Sequence, residues 1–310
     1  MSALPGKTVL ITGANAGIGK DVARQLALRP DMARIYLACR NKDRAAAAKA
    51  ELEAETGRRI FDIILMDVAN LGSVRAGLEV ISGSLDALVM NAGTVGGKTA
   101  LDLTADGVTT VFATNVLGHA VLLEALLKEN RLGEAVYAGS EAARGVPKLR
   151  IKRPSFVSTS ADELATVIDG SYFAGRKTDP NLAFGQVKYI AALWMAYLAR
   201  RHPGRRLITV SPGSTSGTQG PNDFKLPLRL AAKYVLPVVG PALGISHKLE
   251  VGARRLVDGV TDPTLSSGVF YASAANTITG PLVDQADIFP DLANPSFQDH
   301  ANEAIHRFIT

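Results

Sequence analysis

The sequence holds one cysteine, Cys39, in 310 residues. That excludes an intrachain disulfide, and with no His/Cys group at metal-ligand spacing it leaves no metal site to expect. No linker, repeat or low-complexity run divides the chain, so residues 1–310 are expected to form one domain although the length would admit two. No charged-then-apolar leader opens it, and the cytoplasm is the expected location. The apolar tract LPLRLAAKYVLPVVGPALGISHKLE is broken by Arg229, Lys233, Pro227, Pro237 and Pro241, too often for an integral membrane segment. Lys and Arg number 34 against 29 Asp and Glu, a net charge of +5, but they are scattered and no aromatic residues interleave them. A nucleic-acid partner is therefore not expected.

What is present begins at the amino terminus. GKTVLITGANAGIGKDVARQLA reads as a short apolar strand, a glycine-rich turn and a helix starting near Ile18. Gly13, Gly17 and Gly19 follow Thr12 in the spacing TGxxxGxG, with Asn15, Ala16 and Ile18 in the same turn. Such a turn brings the backbone close to a pyrophosphate, and the helix start aims free N–H groups and its positive dipole end at the anion. The next strand, ARIYLACR, ends in Arg40, followed by Asn41 and Lys42. An acidic residue there would bind the ribose 2′-hydroxyl of NAD, whereas arginine accommodates a 2′-phosphate, so NADPH is the expected cofactor. A third strand, FDIILMDVAN, delivers Asp67 and Val68, and a fourth, LDALVMNAG, delivers Asn91, Ala92 and Gly93. Strands alternating with helices imply an α/β fold: a Rossmann-type doubly wound parallel sheet in three α/β/α layers. Its ligands bind beyond the carboxyl ends of the strands, where all these residues meet.

TGANAGIG, Asp67 and MNAG resemble the short-chain dehydrogenase/reductase family over nearly the whole chain. The resemblance implies that Asp67 touches the adenine and that the NAG stretch supports the central strand beside the cofactor. It also implies catalytic positions. Asn115, in TVFATNVLGHAVLL, would help hold a water-linked proton relay; Ser140, in AVYAGSEAARG, would hydrogen-bond the substrate oxygen; Lys188 would bind the nicotinamide ribose and acidify a neighbouring hydroxyl. Pro212 and Gly213 match the family's PG motif, and Thr215 to Thr218 would lie by the nicotinamide carboxamide and diphosphate. At the position of the family's tyrosine, four residues before Lys188, stands Phe184.

Residues i and i+4 share a helix face, so a lysine can reach both a ring oxygen at 184 and the ribose. A phenyl ring has no proton to give, and general acid–base catalysis is worth about 10²–10⁴-fold. Tyr189 lies about 100° around the helix from Lys188 and off that face. Tyr172, in the loop segment IDGSYFAGRK, or a substrate hydroxyl remains as a proton donor, and a deliberate Tyr-to-Phe exchange that traps a complex is a further explanation. An insertion over about 145–178, with ADELATVIDG as a short helix, resembles the retinol dehydrogenase and protochlorophyllide reductase branches. The region about 214–250 reads equally as an apolar substrate lid or as a buried helix pair. SGVFYAS reads as a last strand.

The expected activity is NADPH-dependent reduction of a carbonyl, or of an activated C=C, in a hydrophobic polycyclic or long-chain compound, by a monomer or homo-oligomer. The alternative is a catalytically silent NADPH-binding sensor or scaffold, for which Phe184 would be a natural loss. Retention of Asn115, Ser140 and Lys188 favours the enzyme.

Overall fold

Strand β1 (Lys7–Thr12) is buried along its last four residues, three of them apolar in a row, rather than alternating, the mark of a parallel strand covered on both faces. It sits inside the sheet for that reason. A computed structural model of the chain describes residues 6–175, 179–216 and 246–309. Around β1 stand β2 (Met32–Cys39), β3 (Phe61–Leu65), β4 (Leu85–Met90), β5 (Leu132–Ala138), β6 (Arg206–Val210), β7 (Phe270–Ser273) and β8 (Leu282–Asp284). Their order is β3-β2-β1-β4-β5-β6-β7-β8. All neighbours pair in parallel except β8, which runs antiparallel to β7 with Tyr271 opposite Asp284. The expected all-parallel sheet thus gains one antiparallel edge strand, three residues long and too short to leave a periodicity in the sequence.

Helices α1 (Gly17–Ala27), α2 (Lys42–Thr56) and α7 (Leu249–Thr261) cover one face, where Val9, Ile11, Leu26 and Leu256 pack together. On the other face lie α3 (Leu71–Val80), α4 (Thr110–Lys128), α6 (Pro180–Arg201) and α8 (Pro295–His306), over Leu10, Leu88, Tyr137 and Trp194. This is the three-layer arrangement. Both α4 and α6 are long and apolar enough to cross a membrane by length and composition, yet 72% and 83% of their most apolar windows are buried inside the fold. Here they are core helices. Asp179 starts α6 by accepting from the Asn181 N–H, and Pro180 occupies the first turn, where its missing N–H leaves no bond unmade.

Two local departures matter for the site. Residues Ala113–Leu117 of α4 form a π-helical turn, which changes which backbone carbonyls the helix consumes. Gly118, next to it, allows close seating of α4 on the segment that follows β3, because a Cβ there would lie 2.0 Å from the Val68 carbonyl oxygen. The insertion carries the expected helix as α5 (Ala161–Ile168), capped by Ser160 and packed on α6 and α8. Of the region about 214–250, residues 217–245 lie outside the described residues, and Leu249 already opens α7.

Candidate active site

The sheet order reverses direction between β1 and β4, and the carboxyl ends of those strands carry the expected cofactor residues. Gly13 has φ +67° and Gly17 φ +53°, left-handed conformations in which a side chain is strained. Gly19 is required by space instead: a Cβ there would meet the Gly13 carbonyl oxygen and Asn91 Nδ2, both at 2.5 Å. The turn therefore folds tightly against the β4 exit. Asn91 Nδ2 donates to the Thr12 carbonyl at 3.0 Å, and the Asn91 and Ala92 N–H groups both donate to Thr12 Oγ1 at 3.0 Å. Asn91 and Ala92 thus fix the turn. Ala16 at the N-cap of α1 offers no side-chain acceptor, so the first-turn N–H groups, around Ile18, stay available to an anion. Asn15 borders the same turn in a cleft of about 390 Å³ shared with Ala16 and Gly17. Lys20 is not free there; it is ion-paired with Glu51, and Glu55 lies 4.0 Å away.

Arg40 leaves the end of β2 exposed, with no hydrogen bond or ion pair among the described residues, while Asn41 caps α2 by accepting from the Arg44 N–H at 2.9 Å. Asp67 uses one carboxylate oxygen to accept from the Ala69 N–H at 3.0 Å, and Val68 is buried beneath α4. Beyond β6, Gly213 has φ +73°, and Thr215 Oγ1 donates to the Pro212 and Gly213 carbonyls at 3.2 Å. Thr218 lies outside the described residues.

Lys188 is 5% exposed on α6, and its Nζ donates to Tyr137 Oη at 3.1 Å and to the Ala138 carbonyl at 2.8 Å. Burial without a carboxylate partner pulls its ammonium down to about 7. Asn115 is fully buried in the π turn, and its Nδ2 donates to the carbonyls of Thr94 and Val111 at 2.8 Å. Gly93 is the spacer: a Cβ on it would lie 2.4 Å from Asn115 Oδ1 and 3.7 Å from Lys188 Nζ. The loop after β4, helix α4 and helix α6 thus meet at one point. Phe184, half-buried one turn before Lys188, has its ring centroid 5.5 Å from Nζ.

Ser140 caps the short turn Glu141–Ala143, accepting from the Ala142 N–H at 3.2 Å, and among the described residues its own proton has no acceptor. Helix α6 closes on this turn through Gly185, where a Cβ would lie 2.7 Å from the Ala142 carbonyl oxygen. Ser140 and the Phe184–Lys188 face are brought together by that contact. Tyr172 stands elsewhere, its ring beside Phe156 and Phe173 and its hydroxyl 3.5 Å from the Ser155 carbonyl. Phe156 in turn stacks on Tyr189, so Tyr172 belongs to the Tyr189 side of α6 and not to the Lys188 side.

Sequence reasoning missed the groups behind these residues. Thr12 Oγ1 spends its lone pairs on two backbone N–H groups, so its proton goes to His119 Nε2 at 2.9 Å. His119 Nδ1 then carries the ring proton and donates to the Asn115 carbonyl at 2.9 Å. Burial pushes His119 down to about 4. The unfolded chain takes up a proton below about 6.5 that the folded chain refuses until about 4, so stability falls as pH drops through that window. Between pH 7 and 4.5 the native chain should lose ~2–3 kcal/mol more than His119→Gln, measured by urea unfolding at both pH values. Equal losses would contradict a neutral buried imidazole. The signal in the sequence was the His119 position one turn after Asn115.

The second missed set is Glu141, Arg144 and Arg255. Glu141 accepts from Ser211 Oγ at 2.6 Å and from the Ser273 N–H and Oγ at 3.1 and 2.8 Å, with Arg255 Nη1 3.6 Å away. Arg144 donates to the carbonyls of Ser273, Ala274 and Thr277 and to Gln285. These groups tie the Ser140 turn to β6 and β7. A groove of about 580 Å³ between α4, α6 and α8, lined by Glu124, His202 and His306, contains none of the site residues.

A glycine turn at the sheet's switch point, a helix start left open to an anion, and a buried lysine beside a strand-end serine define a dinucleotide-binding α/β protein. The family model for short chain dehydrogenases matches residues 7–149. A short-chain dehydrogenase/reductase of Armillaria gallica is 32% identical over 228 residues, 69% of this chain and 67% of that protein. Human retinol dehydrogenase 11 is 32% identical over 219 residues, 68% of this chain and 62% of its own length; mouse retinol dehydrogenase 12 is 39% identical over 138 residues, 44% and 42%. The chain belongs to the short-chain dehydrogenase/reductase family, is similar to retinol dehydrogenases within it, and spans less than two thirds of the length of those two retinol dehydrogenases. Among solved structures, L-sorbose reductase from Gluconobacter frateurii complexed with NADPH and L-sorbose superposes with a TM-score of 0.64 at 20% identity, covering 89% of this chain and 97% of that one. A short chain dehydrogenase from Burkholderia cenocepacia in complex with NADP gives 0.56 at 26%, covering 83% and 91%.

Proposed function

We propose that this chain binds NADPH and reduces the carbonyl group of a hydrophobic, long-chain or polycyclic compound. The observation that carries this reading is the placement of the glycine turn after β1, of Arg40, without an ion pair among the described residues, after β2, and of the buried Lys188 of α6 against the end of β5, all at the carboxyl edge of the sheet. The residues fit the cofactor: the left-handed glycines and the uncapped α1 start suit a pyrophosphate, and Arg40 suits a 2′-phosphate. Once bound, NADPH supplies the hydride. Ser140, whose hydroxyl proton has no acceptor among the described residues, would donate to the substrate oxygen, and Lys188 would hold the ribose. The retinol dehydrogenases among the relatives support an apolar substrate of that kind.

Phe184 occupies the position of the family's tyrosine on this reading, one turn from Lys188. It also favours a second reading, a protein that binds NADPH without turning anything over.

The cofactor assignment is tested by fluorescence titration of the native chain and Arg40→Asp with NADPH and NADH. The native chain should prefer NADPH, and Arg40→Asp should weaken NADPH about 10–100-fold, the worth of one charge-assisted contact of about 1.5–3 kcal/mol. NADH affinity should hold or improve. Equal affinities of the native chain for the two nucleotides would refute the 2′-phosphate role of Arg40.

A further inference from the structure

Tyr137 is the penultimate residue of β5, fully buried, on the face of the sheet that carries α4 and α6. Its hydroxyl lies between two groups of the site, accepting from Lys188 Nζ at 3.1 Å and donating to the Asn115 carbonyl at 3.0 Å. Its ring is also engaged, 4.6 Å from Nζ and edge-on to His119 at 6.2 Å.

The Asn115 carbonyl lies within the π turn Ala113–Leu117 and accepts two side-chain protons, from Tyr137 and from His119 Nδ1.

The direction of these bonds decides what the array can do. Lys188 gives a proton to Tyr137, and Tyr137 gives its own to a carbonyl that cannot pass one on. Burial pushes the Tyr137 phenol far above its ordinary value, so it does not ionise to take the lysine proton. Among the described residues no other group offers a way out. Lys188 Nζ is faced by Tyr137 and the Ala138 carbonyl from β5, by Gly93 after β4, by neutral His119 from α4 and by Phe184 on its own helix, and it has no ion pair among the described residues.

We propose that Tyr137 is a positioning residue that holds Lys188 by a fixed hydroxyl and closes the side of the lysine facing α4 to proton exchange. Lys188 then meets the crevice with its remaining N–H alone. The inference rests on the proposed function only in assigning the crevice to NADPH; the bond network and its test do not need the cofactor.

The test is an NMR titration of ¹³C,¹⁵N-lysine-labelled protein, with Lys188 assigned from Lys188→Met, comparing the native chain with Tyr137→Phe. Loss of an acceptor for the charged form disfavours the ammonium, so the Lys188 midpoint should drop by about one unit or more in Tyr137→Phe. An unchanged midpoint would reduce Tyr137 to a packing residue. Should Tyr137→Phe fail to fold, the native chain decides. A Tyr137 hydroxyl proton that exchanges slowly enough to be observed supports the closure, and exchange as fast as for an exposed phenol overturns it. NADPH affinity, measured alongside, should fall about fivefold at pH 7 for a one-unit drop, as more of the lysine becomes neutral in Tyr137→Phe. Absence of NADPH binding to the native chain would sink the proposed function and leave the lysine titration to judge Tyr137 by itself.

Discussion

Phe184→Tyr should raise the rate of NADPH-dependent carbonyl reduction at least about a hundredfold, the lower end of what a general acid supplies. The ring already stands where a hydroxyl would be useful, on the face of α6 that carries Lys188 and within 5.5 Å of its Nζ. A phenol there would gain from the nearby ammonium, which favours phenolate and lowers the barrier to giving up the proton. Cofactor affinity should not change, because Lys188, Gly93 and the glycine turn are untouched. NADPH oxidation by both proteins over a panel of hydrophobic ketones and aldehydes measures the effect, and the best substrate names the class. A gain confined to kcat, with NADPH affinity constant, identifies the missing acid. If both proteins bind NADPH and the tyrosine adds nothing, the proton comes from the substrate or Tyr172, or the chain is a cofactor-binding protein. Tyr172 has the harder case of those donors, since its ring lies with Phe156 on the Tyr189 side of the helix.

The elements of the candidate cofactor site were legible because they are local. Gly13, Gly17 and Gly19 act through backbone conformation and close approach within one turn, and strand ends bring Arg40, Asp67 and Asn91 to the same edge of any parallel sheet. The strands themselves showed as short apolar runs. What escaped was set by contacts between distant segments. Nothing in FATNVLGHA distinguishes a π turn from an α turn, since both keep the same residues apolar. Tyr137 in AVYAG looks like any aromatic in a core strand until α4 and α6 are seen to converge on its hydroxyl. The side that Tyr172 faces was hidden for a related reason: its place between Ser140 and α6 in the chain says which loop it belongs to, while its contact with Phe156 sets which side of α6 it lies on.

Glu141→Ala should be the most destabilising single change near the site, at about 3–5 kcal/mol, because it strands a buried guanidinium. Glu141 and Arg255 have side chains only 5% and 6% exposed, and among the described residues the carboxylate is the one charge paired with Arg255. Without it Arg255 keeps the Ser211 and Gly280 carbonyls and Ser273 Oγ, all neutral, and the buried Ser273 N–H loses its acceptor. The attraction between the charges is largely offset by the desolvation of both, so the pair adds little beyond what an apolar pair of similar size would give. Removing both partners should therefore hurt less than removing one: the double variant Glu141→Leu, Arg255→Met should be more stable than Glu141→Ala in urea unfolding. Activity should separate from stability in these proteins. The double variant keeps its fold but loses the anchors that run from the residue next to Ser140 to Ser211 and Ser273, so Ser140 is held less firmly against α6. Carbonyl reduction in a Phe184→Tyr background should fall while NADPH affinity stays within a few-fold. A Glu141→Ala penalty below about 1 kcal/mol would mean that water or a rearranged Arg255 replaces the carboxylate, and that the charged pair behind the serine does not hold the turn.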